Sequence, residues 1–154
     1  MLRVRPFKKS DVDGFLAVMR KCRRWLGDLY NRKTLLKAAE HTRFWVAEFK
    51  GKIVGHVGFV DLKNGIGMLC SLAVDPAYRG KGIGRKLIKA VKRYAKRKGF
   101  RKIIAITRLD NKPAMILLIK EGFVPEGTLM YHFRTGKHMA YFSYFLKKRC
   151  ETTL

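Results

Sequence analysis

Hydrophobic residues recur with two different periods along the chain, and each change of period marks the boundary of a predicted element. Residues 2–5 alternate apolar and basic positions, which predicts a short strand that Pro6 ends. Behind Ser10, a typical N-cap residue, apolar side chains return at spacings of three and four, as along one face of a helix. These helical positions are Val12, Phe15, Leu16 and Met19.

The rest of the sequence predicts further strands and helices in alternation. Asp28 is predicted to cap a second helix, whose apolar residues include Leu35, Leu36 and Ala39. Later helices are predicted from residue 85 to Gly99, and from Asn111 as N-cap to Gly122. Strands are predicted over residues 44–49, 53–60, 68–74, 103–107, 128–133 and 139–146. The turn 134–137 then closes a C-terminal β-hairpin.

Length and composition predict a single domain with a substantial core. The chain has 154 residues, of which 47% are hydrophobic, so we expect one α/β domain over residues 1–154. No apolar run is long enough to span a membrane, and the N-terminal segment lacks the apolar core of a signal peptide. These features predict an intracellular, cytoplasmic protein.

The three cysteines predict neither a disulfide framework nor a metal site. Cys22, Cys70 and Cys150 are odd in number and far apart in the sequence, with no Cys-x-x-Cys pair. We therefore expect reduced thiols and no bound metal.

A glycine-rich turn between a strand and a helix is the most informative part of the sequence. Residues 68–74 read as a buried strand that Pro76 ends, and Gly80, Gly82 and Gly84 follow before the helix at residue 85. The first turn of a helix leaves backbone N–H groups unpaired and carries the positive end of the helix dipole. Such a turn is typical of a phosphate site.

Two common phosphate-binding motifs do not match this turn. A P-loop needs four residues between its glycines followed by Gly-Lys-Ser/Thr, and a dinucleotide fingerprint needs Gly-x-Gly-x-x-Gly. Residues 80–84 have the spacing Gly-x-Gly-x-Gly instead. We therefore expect neither a nucleoside triphosphate nor a dinucleotide as the ligand.

The segment Arg79–Gly84 fits the pattern Arg/Gln-x-x-Gly-x-Gly/Ala, and here the chain resembles the GNAT superfamily of acetyl-CoA-dependent N-acetyltransferases. Three other features extend the resemblance over nearly the whole chain: the strand and exit 72–78, Asn111 with Ala114 before Gly122-Phe123, and the order of the elements. It implies a mixed, mostly antiparallel central sheet with splayed fourth and fifth strands. About four flanking helices and the C-terminal β-hairpin complete the expected fold.

The resemblance also implies acetyl-CoA as co-substrate and assigns roles by position. In the family the fourth strand binds the pantetheine arm through its backbone, the glycine turn binds the diphosphate, and the Asn contacts the arm. The implied cofactor-binding residues are Leu72, Ala73, Val74, Arg79, Gly80, Lys81, Gly82, Ile83, Gly84, Arg85 and Asn111. The backbone N–H of Leu72 is the implied donor to the thioester oxygen.

The sequence departs from the family at the catalytic acid and base. Leu118 occupies the place of the usual Tyr acid, and Cys70 or Met68, with Ile106, occupy the places of the usual Glu base. The catalytic residues are therefore unassigned, and Tyr131, Glu48 and His56 are the substitute candidates. Trp25 and Tyr30 fall in a region that borders the acceptor site in the family, and packing on the core is the alternative for both.

We therefore expect an N-acetyltransferase whose acceptor is a primary amine: a protein N-terminus, a lysine or a small amine. The alternatives are a basic RNA- or ribosome-binding module, or a coenzyme A sensor, on the same scaffold with weak or lost catalysis. The formal net charge of +24 leaves both open. Coenzyme A does not need all the cations of residues 85–98, so an acidic protein or RNA is a candidate partner for that helix. A homodimer is also compatible with the sequence.

Overall fold

The computed structural model describes residues 1–132, 134 and 136–147. The chain divides into two compact units. The first comprises residues 1–60 and 69–92, and the second comprises residues 61–68 and those from 93 onward. The predictions for Phe133, Thr135 and Cys150 lie outside the described residues. The prediction of a single domain over residues 1–154 stays a prediction.

The described chain contains seven strands, five α-helices and two short 3-10 turns. The strands are β1 (Leu2–Pro6), β2 (Thr42–Phe49), β3 (Lys52–Asp61), β4 (Ile66–Val74), β5 (Lys102–Arg108), β6 (Val124–Leu129) and β7 (Met139–Phe145). The helices are α1 (Val12–Lys21), α2 (Arg23–Leu26), α3 (Arg32–Ala38), α4 (Ile83–Arg97) and α5 (Lys112–Lys120). The strand order is β1-β2-β3-β4-β5-β7-β6. This arrangement confirms the predicted mixed, mostly antiparallel α/β fold.

An aromatic cluster forms the centre of the core in the first unit. Phe15 on α1 is fully buried, and its ring meets those of Phe7, Tyr30 and Phe44 edge to face at 5.3–6.4 Å. Edge-to-face pairs add to the free energy gained from burying the rings themselves. The helical spacing of residues 12–19 thus forms the predicted helix, and its buried face packs against Phe44 of β2.

The N-terminal ends of α1 and α3 differ from the prediction. Asp11, not Ser10, directly precedes α1. Its carboxylate accepts hydrogen bonds from the two terminal guanidinium nitrogens of Arg5 at 2.7 and 2.8 Å, and from the Lys8 N–H at 2.7 Å. Asn31, not Asp28, caps α3 by accepting the Thr34 N–H at 2.9 Å. Asp28 instead forms an exposed ion pair with Arg23. These hydrogen-bond and ion-pair partners depend on the path of the folded chain, which the local sequence pattern does not specify.

In the second unit, β7 pairs antiparallel with both β5 and β6. The predicted strand over residues 128–133 is shifted, because β6 begins at Val124 directly after the buried Phe123. β6 is the last strand in the sheet order, so it is an edge strand. Pro125 is tolerated there because one side of an edge strand makes no hydrogen bonds to a neighbouring strand. The β6–β7 connection is therefore longer than predicted and contains Tyr131.

Candidate cofactor and active site

An irregular backbone at Ser71 marks the middle of β4. Ser71 has a φ of +50°, a left-handed conformation that is unfavourable for a residue with a side chain. Nδ1 of His56, on the neighbouring β3, lies 2.6 Å from the Ser71 carbonyl oxygen. Because a carbonyl oxygen only accepts, Nδ1 is the protonated ring nitrogen and donates the hydrogen bond. The buried imidazole thus stabilises the carbonyl of the distorted residue, immediately before the predicted cofactor contacts Leu72, Ala73 and Val74.

The exit of β4 is fixed by Asp75, a buried carboxylate. One oxygen accepts the Ala77 N–H at 3.0 Å, and the other lies 2.6 Å from the Lys21 ammonium. Burial alone raises the pKa of Asp75, but the Lys21 ammonium and the Ala77 N–H bring it below its usual value. Asp75 therefore stays ionised and starts the 3-10 turn Pro76–Tyr78.

The glycine turn has the conformation that a phosphate site requires. Gly80 and Gly82 have φ values of +76° and +75°, and a Cβ added to either would meet nothing within 4 Å. Open space above both glycines leaves their backbone accessible. Because α4 begins at Ile83, the first N–H groups of that helix lie next to this opening. The turn can therefore present several N–H donors and the positive end of a helix dipole to one anion.

The two cations at the start of the turn have different surroundings. Nη2 of Arg79 lies 3.7 Å from the buried thiol of Cys22, whereas Nζ of Lys81 lies 5.5 Å from the centre of the Tyr78 ring. Lys52 approaches the same ring at 5.5 Å. Both Arg79 and Lys81 remain exposed to solvent, so each can reach an anion bound at Gly80 and Gly82.

Asn111 lies in the second unit and serves as the N-cap of α5. Its Oδ1 accepts the Ala114 N–H at 3.3 Å, which leaves the amide nitrogen as a donor for another partner. Leu118, at the place of the family's Tyr acid, is 97% buried and has no proton to donate. The predicted cap is confirmed, and its predicted contact with the cofactor stays a prediction.

A groove of about 530 Å³ lies between α5 and the pair β6–β7. Its lining side chains are apolar apart from those of Lys112 and Thr128. An anion with several phosphates needs many donors, so the groove does not replace the glycine turn as the candidate diphosphate site. The lining residues are Leu109, Lys112, Met115, Ile116, Ile119, Pro125, Gly127, Thr128, Ala140 and Phe142.

The three substitute catalytic candidates have different surroundings. Glu48 pairs with Arg5 at 3.3 Å, and the same guanidinium binds Asp11. His56 has no exposed surface and stacks on Phe15 with ring centroids 3.7 Å apart. Tyr131 is 72% exposed in the β6–β7 connection, where its N–H donates to Nδ1 of His138 at 3.1 Å. Glu48, whose side chain is 27% exposed, and His56 thus make structural contacts, while Tyr131 is the most exposed of the three.

Tyr30 belongs to a polar cluster on β4 that sequence reasoning did not assemble. The Ser71 side chain lies close enough to the Tyr30 hydroxyl and to the Cys70 thiol to lower the pKa of each. Burial raises the pKa of Tyr30, although the nearby Ser71 side chain opposes this shift, so the phenol keeps its proton at neutral pH. Burial likewise raises the pKa of Cys70 to about 11, so it is a thiol and a poor nucleophile. Only the pairing across elements could have revealed this cluster.

A family comparison matches these features to known proteins. Residues 13–123, from α1 through β4, the glycine turn and α5, match the acetyltransferase (GNAT) family. The chain belongs to the GNAT family. This assignment confirms the resemblance drawn from Arg79–Gly84 and from the segment that follows Asn111.

Relatives and solved structures agree with the GNAT assignment. N-acetyltransferase 8 of Rattus norvegicus is 34% identical over 89 residues, which cover 54% of this chain and 40% of the relative. Across three such curated relatives from rat and human, the matched part is 40% to 49% of their length. The chain therefore spans about half the length of these relatives.

Two solved structures share the fold of this GNAT protein. The ribosomal-protein-S18-alanine N-acetyltransferase of Escherichia coli has a TM-score of 0.82 at 16% identity, covering 100% of this chain and 99% of that one. An acetyltransferase of Salmonella typhimurium, solved with its cofactor acetyl-CoA, has a TM-score of 0.84 at 19% identity, covering 97% and 96%. GNAT proteins use acetyl-CoA, which confirms the predicted co-substrate at the level of the family. Within the described residues, no helix has both the length and the apolar composition needed to cross a bilayer.

Proposed function

We propose that this GNAT protein transfers the acetyl group of acetyl-CoA to a primary amine by direct attack in a ternary complex. The glycine turn carries the proposal, because the left-handed Gly80 and Gly82 open the N-terminus of α4 to an anion. The amides of Gly80, Lys81, Gly82, Ile83, Gly84 and Arg85, with the side chains of Arg79 and Lys81, bind the coenzyme A diphosphate. The backbone of Leu72, Ala73 and Val74 and the Asn111 amide bind the pantetheine arm.

The reaction needs a neutral amine, a donor for the thioester oxygen and a proton for the leaving thiolate. The amine lone pair attacks the thioester carbon, a C–N bond forms and the C–S bond breaks. The attacking nitrogen releases one proton to solvent, and the coenzyme A sulfur takes up one proton from a donor that solvent then reprotonates. The Leu72 N–H, next to the distorted Ser71, stabilises the oxygen as it gains negative charge. Tyr30, a neutral phenol beside Ser71, supplies the proton that Leu118 cannot.

The acceptor that fits this site best is an α-amine. Glu48 is occupied by Arg5 and His56 is fully buried, so neither is placed to deprotonate an amine. With ordinary pKa values near 8 for an α-amine and 10.4 for lysine, the neutral fraction at pH 7.5 differs roughly 200-fold. A site without a positioned base therefore favours a protein or peptide N-terminus over a lysine side chain.

Free thiol release tests the activity and the acceptor together. The panel contains a lysine-free peptide with a free N-terminus, an N-acetylated peptide with one lysine, and spermidine. We expect the first to react fastest, and Gly82→Glu to abolish release, because a carboxylate would occupy the anion site. Gly51→Glu is the matched control, since Gly51 also has a positive φ and open space but lies at the tip of the β2–β3 hairpin.

Two results would contradict the proposal. Binding of coenzyme A without turnover on any amine would instead indicate a sensor. Equal loss of thiol release in the Gly82 and Gly51 variants would show that strain, rather than the anion site, causes the loss.

Tyr30→Phe tests the proposed proton donor while keeping the aromatic packing with Phe15 and Phe44. A positioned acid contributes roughly 10²–10⁴-fold, so we expect kcat to fall by about 10²-fold or more. Tyr131→Phe is the control, and its kcat should stay within about twofold of the original chain. The reverse pattern would assign the acid to Tyr131 and refute the role of Tyr30.

A further inference from the structure

A cluster of cations lies at the C-terminal end of α4, in the second unit. Arg93, Lys96, Arg97 and Lys98 are all exposed. We call these four residues, together with Lys63, Arg101 and Lys147, the basic patch. None of these seven residues belongs to the glycine turn, which lies in the first unit.

Hydrogen bonds of Arg101 bring three chain segments together in the basic patch. Its Nε donates to the Asn64 carbonyl at 3.0 Å and its N–H donates to the Gly65 carbonyl at 2.8 Å, beside Lys63. Its own carbonyl accepts the Leu146 N–H at 2.9 Å, and the exposed Lys147 follows. The patch is therefore a product of the fold and is wider than one helix face.

The charge of the basic patch is poorly balanced. Lys63 lies 3.9 Å from Asp61. In the part of the chain that the structure describes, however, no carboxylate is within ion-pair distance of Arg93, Lys96, Arg97, Lys98 or Lys147. Residues 76–109 contain no Asp or Glu. Like charges three and four positions apart, such as Arg93 with Lys96 and Arg97, repel each other along a helix. One or two cations would complement the helix dipole, so the excess indicates an anionic ligand.

The chemistry of the patch distinguishes between kinds of polyanion. Protein interfaces have cores that are depleted of charge and anchored by aromatic or apolar side chains. In the last turn and a half of α4 and at Lys98, the exposed side chains are all cationic, and Tyr94 is half-buried. Such a surface fits a phosphate backbone, whose binding depends on charge and not on apolar anchors. We propose that the basic patch binds the phosphate backbone of a nucleic acid.

Salt-dependent binding tests this proposal. The probes are a fluorescein-labelled 20-nucleotide oligo(U) RNA and a 20-bp DNA duplex, whose anisotropy is followed from 50 to 300 mM KCl. The variant Lys96→Gln/Arg97→Gln/Lys98→Gln should bind the RNA at least tenfold more weakly at 100 mM KCl. The slope of log Kobs against log salt should become less negative by about 2, because each cation contributes about 0.7 for a single strand.

The matched control is Lys9→Gln/Lys33→Gln/Lys37→Gln, which removes three exposed cations from the first unit. Both triple variants lower the formal charge from +24 to +21. We expect the control to keep the original slope, and both variants to keep the melting temperature of the original chain within a few degrees. Comparison of RNA with DNA identifies which backbone the patch prefers.

Three results would overturn the proposal. Equal weakening in the control would assign binding to the net charge of the whole molecule. Tighter binding of polyglutamate than of oligo(U) at the same salt would assign the patch to an acidic protein. No binding of either nucleic acid at 100 mM KCl would leave the patch without this ligand. The inference is independent of the proposed function, since the patch variant should release thiol at the original rate even when RNA binding is lost.

Discussion

His56 shows how one buried side chain connects stability with the site. Its ring lies between Phe15 and the Ser71 carbonyl, with no exposed surface. Burial lowers the pKa of His56 from 6.5 to about 4, although the bond to Ser71 opposes this shift. The neutral imidazole is thus the form that holds the distorted residue of β4, and protonation works against the native state.

The stability of the protein is expected to fall between pH 6.5 and pH 4. In this window the unfolded chain binds a proton at His56 and the folded chain does not, so its contribution is complete above pH 6.5 and is lost as the pH falls. A difference of this size corresponds to about 3 kcal/mol. Urea unfolding at pH 4.5, 5.5, 6.5 and 7.5 measures the slope.

The variant His56→Asn should flatten that slope, because asparagine does not titrate, even though the variant is less stable at every pH. His41→Gln, which changes an exposed histidine, is the control and should leave the slope unchanged. An unchanged slope in His56→Asn would show that another group causes the pH dependence. The pKa values of Asp11 and Asp75 lie below 3.8, so these two carboxylates change the stability of the protein only at lower pH.

At the scale of the elements, local patterns located the helices but misplaced two of their caps. Ser10 and Asp28 are good cap residues by composition, yet Asp11 binds Arg5 and Asn31 binds the Thr34 N–H. A cap depends on the backbone angles at one residue, and these follow from the path by which the chain reaches the helix. Asn111 was predicted correctly because Pro113, which suits the first turn of a helix, follows it.

Substitution at the α3 cap is expected to distinguish the two assignments. Asn31→Ala should lower the free energy of unfolding by about 1 kcal/mol, because the Thr34 N–H loses its acceptor. Asp28→Ala should change it by less than about 0.5 kcal/mol, since an exposed ion pair contributes little. Urea denaturation of both variants measures the difference, and a larger loss from Asp28→Ala would restore the sequence-based cap.

The positions of β6 and Tyr131 also required the tertiary structure. Residues 128–133 were predicted as a strand, but β6 begins at Val124, directly after the buried Phe123. Tyr131 consequently lies in an exposed connection, where its backbone bonds to His138. The sequence pattern alone cannot decide which residues form the strand, because hydrogen-bonded pairing with β7 supplies the free energy that selects one register.

At the scale of the whole molecule, the net charge of +24 is a destabilising self-repulsion as well as a binding property. Salt screens this repulsion, and the Debye length falls from about 30 Å at 0.01 M to about 10 Å at 0.1 M. We therefore expect the melting temperature to rise between 10 and 300 mM KCl. Each kcal/mol of unfolding free energy that screening restores should raise it by about 2–4 °C.

Differential scanning fluorimetry across that range measures the effect. Sodium chloride should act like KCl, because screening depends on ionic strength and not on the identity of the cation. A melting temperature that is constant or falls with salt would show that ion pairs such as Arg5–Asp11 outweigh the self-repulsion.

The amino-acid sequence by itself determined the features whose causes are local. Glycine at positions 80 and 82 permits the left-handed backbone of the turn, the apolar spacing defines α1 and α4, and the excess of Lys and Arg sets the charge. The motif Arg79–Gly84 and the segments around it were sufficient to show the resemblance that implied the family, the fold class and the co-substrate.

Only the tertiary structure decided which side chains meet. It buried His56 against the Ser71 carbonyl, paired Glu48 with Arg5, placed Tyr30 near Ser71, and used Arg101 to assemble the basic patch from three segments. The physical reason is that protonation, hydrogen bonding and charge density depend on distances in space. Residues far apart in the sequence contribute to each of them, so no local pattern could specify the result.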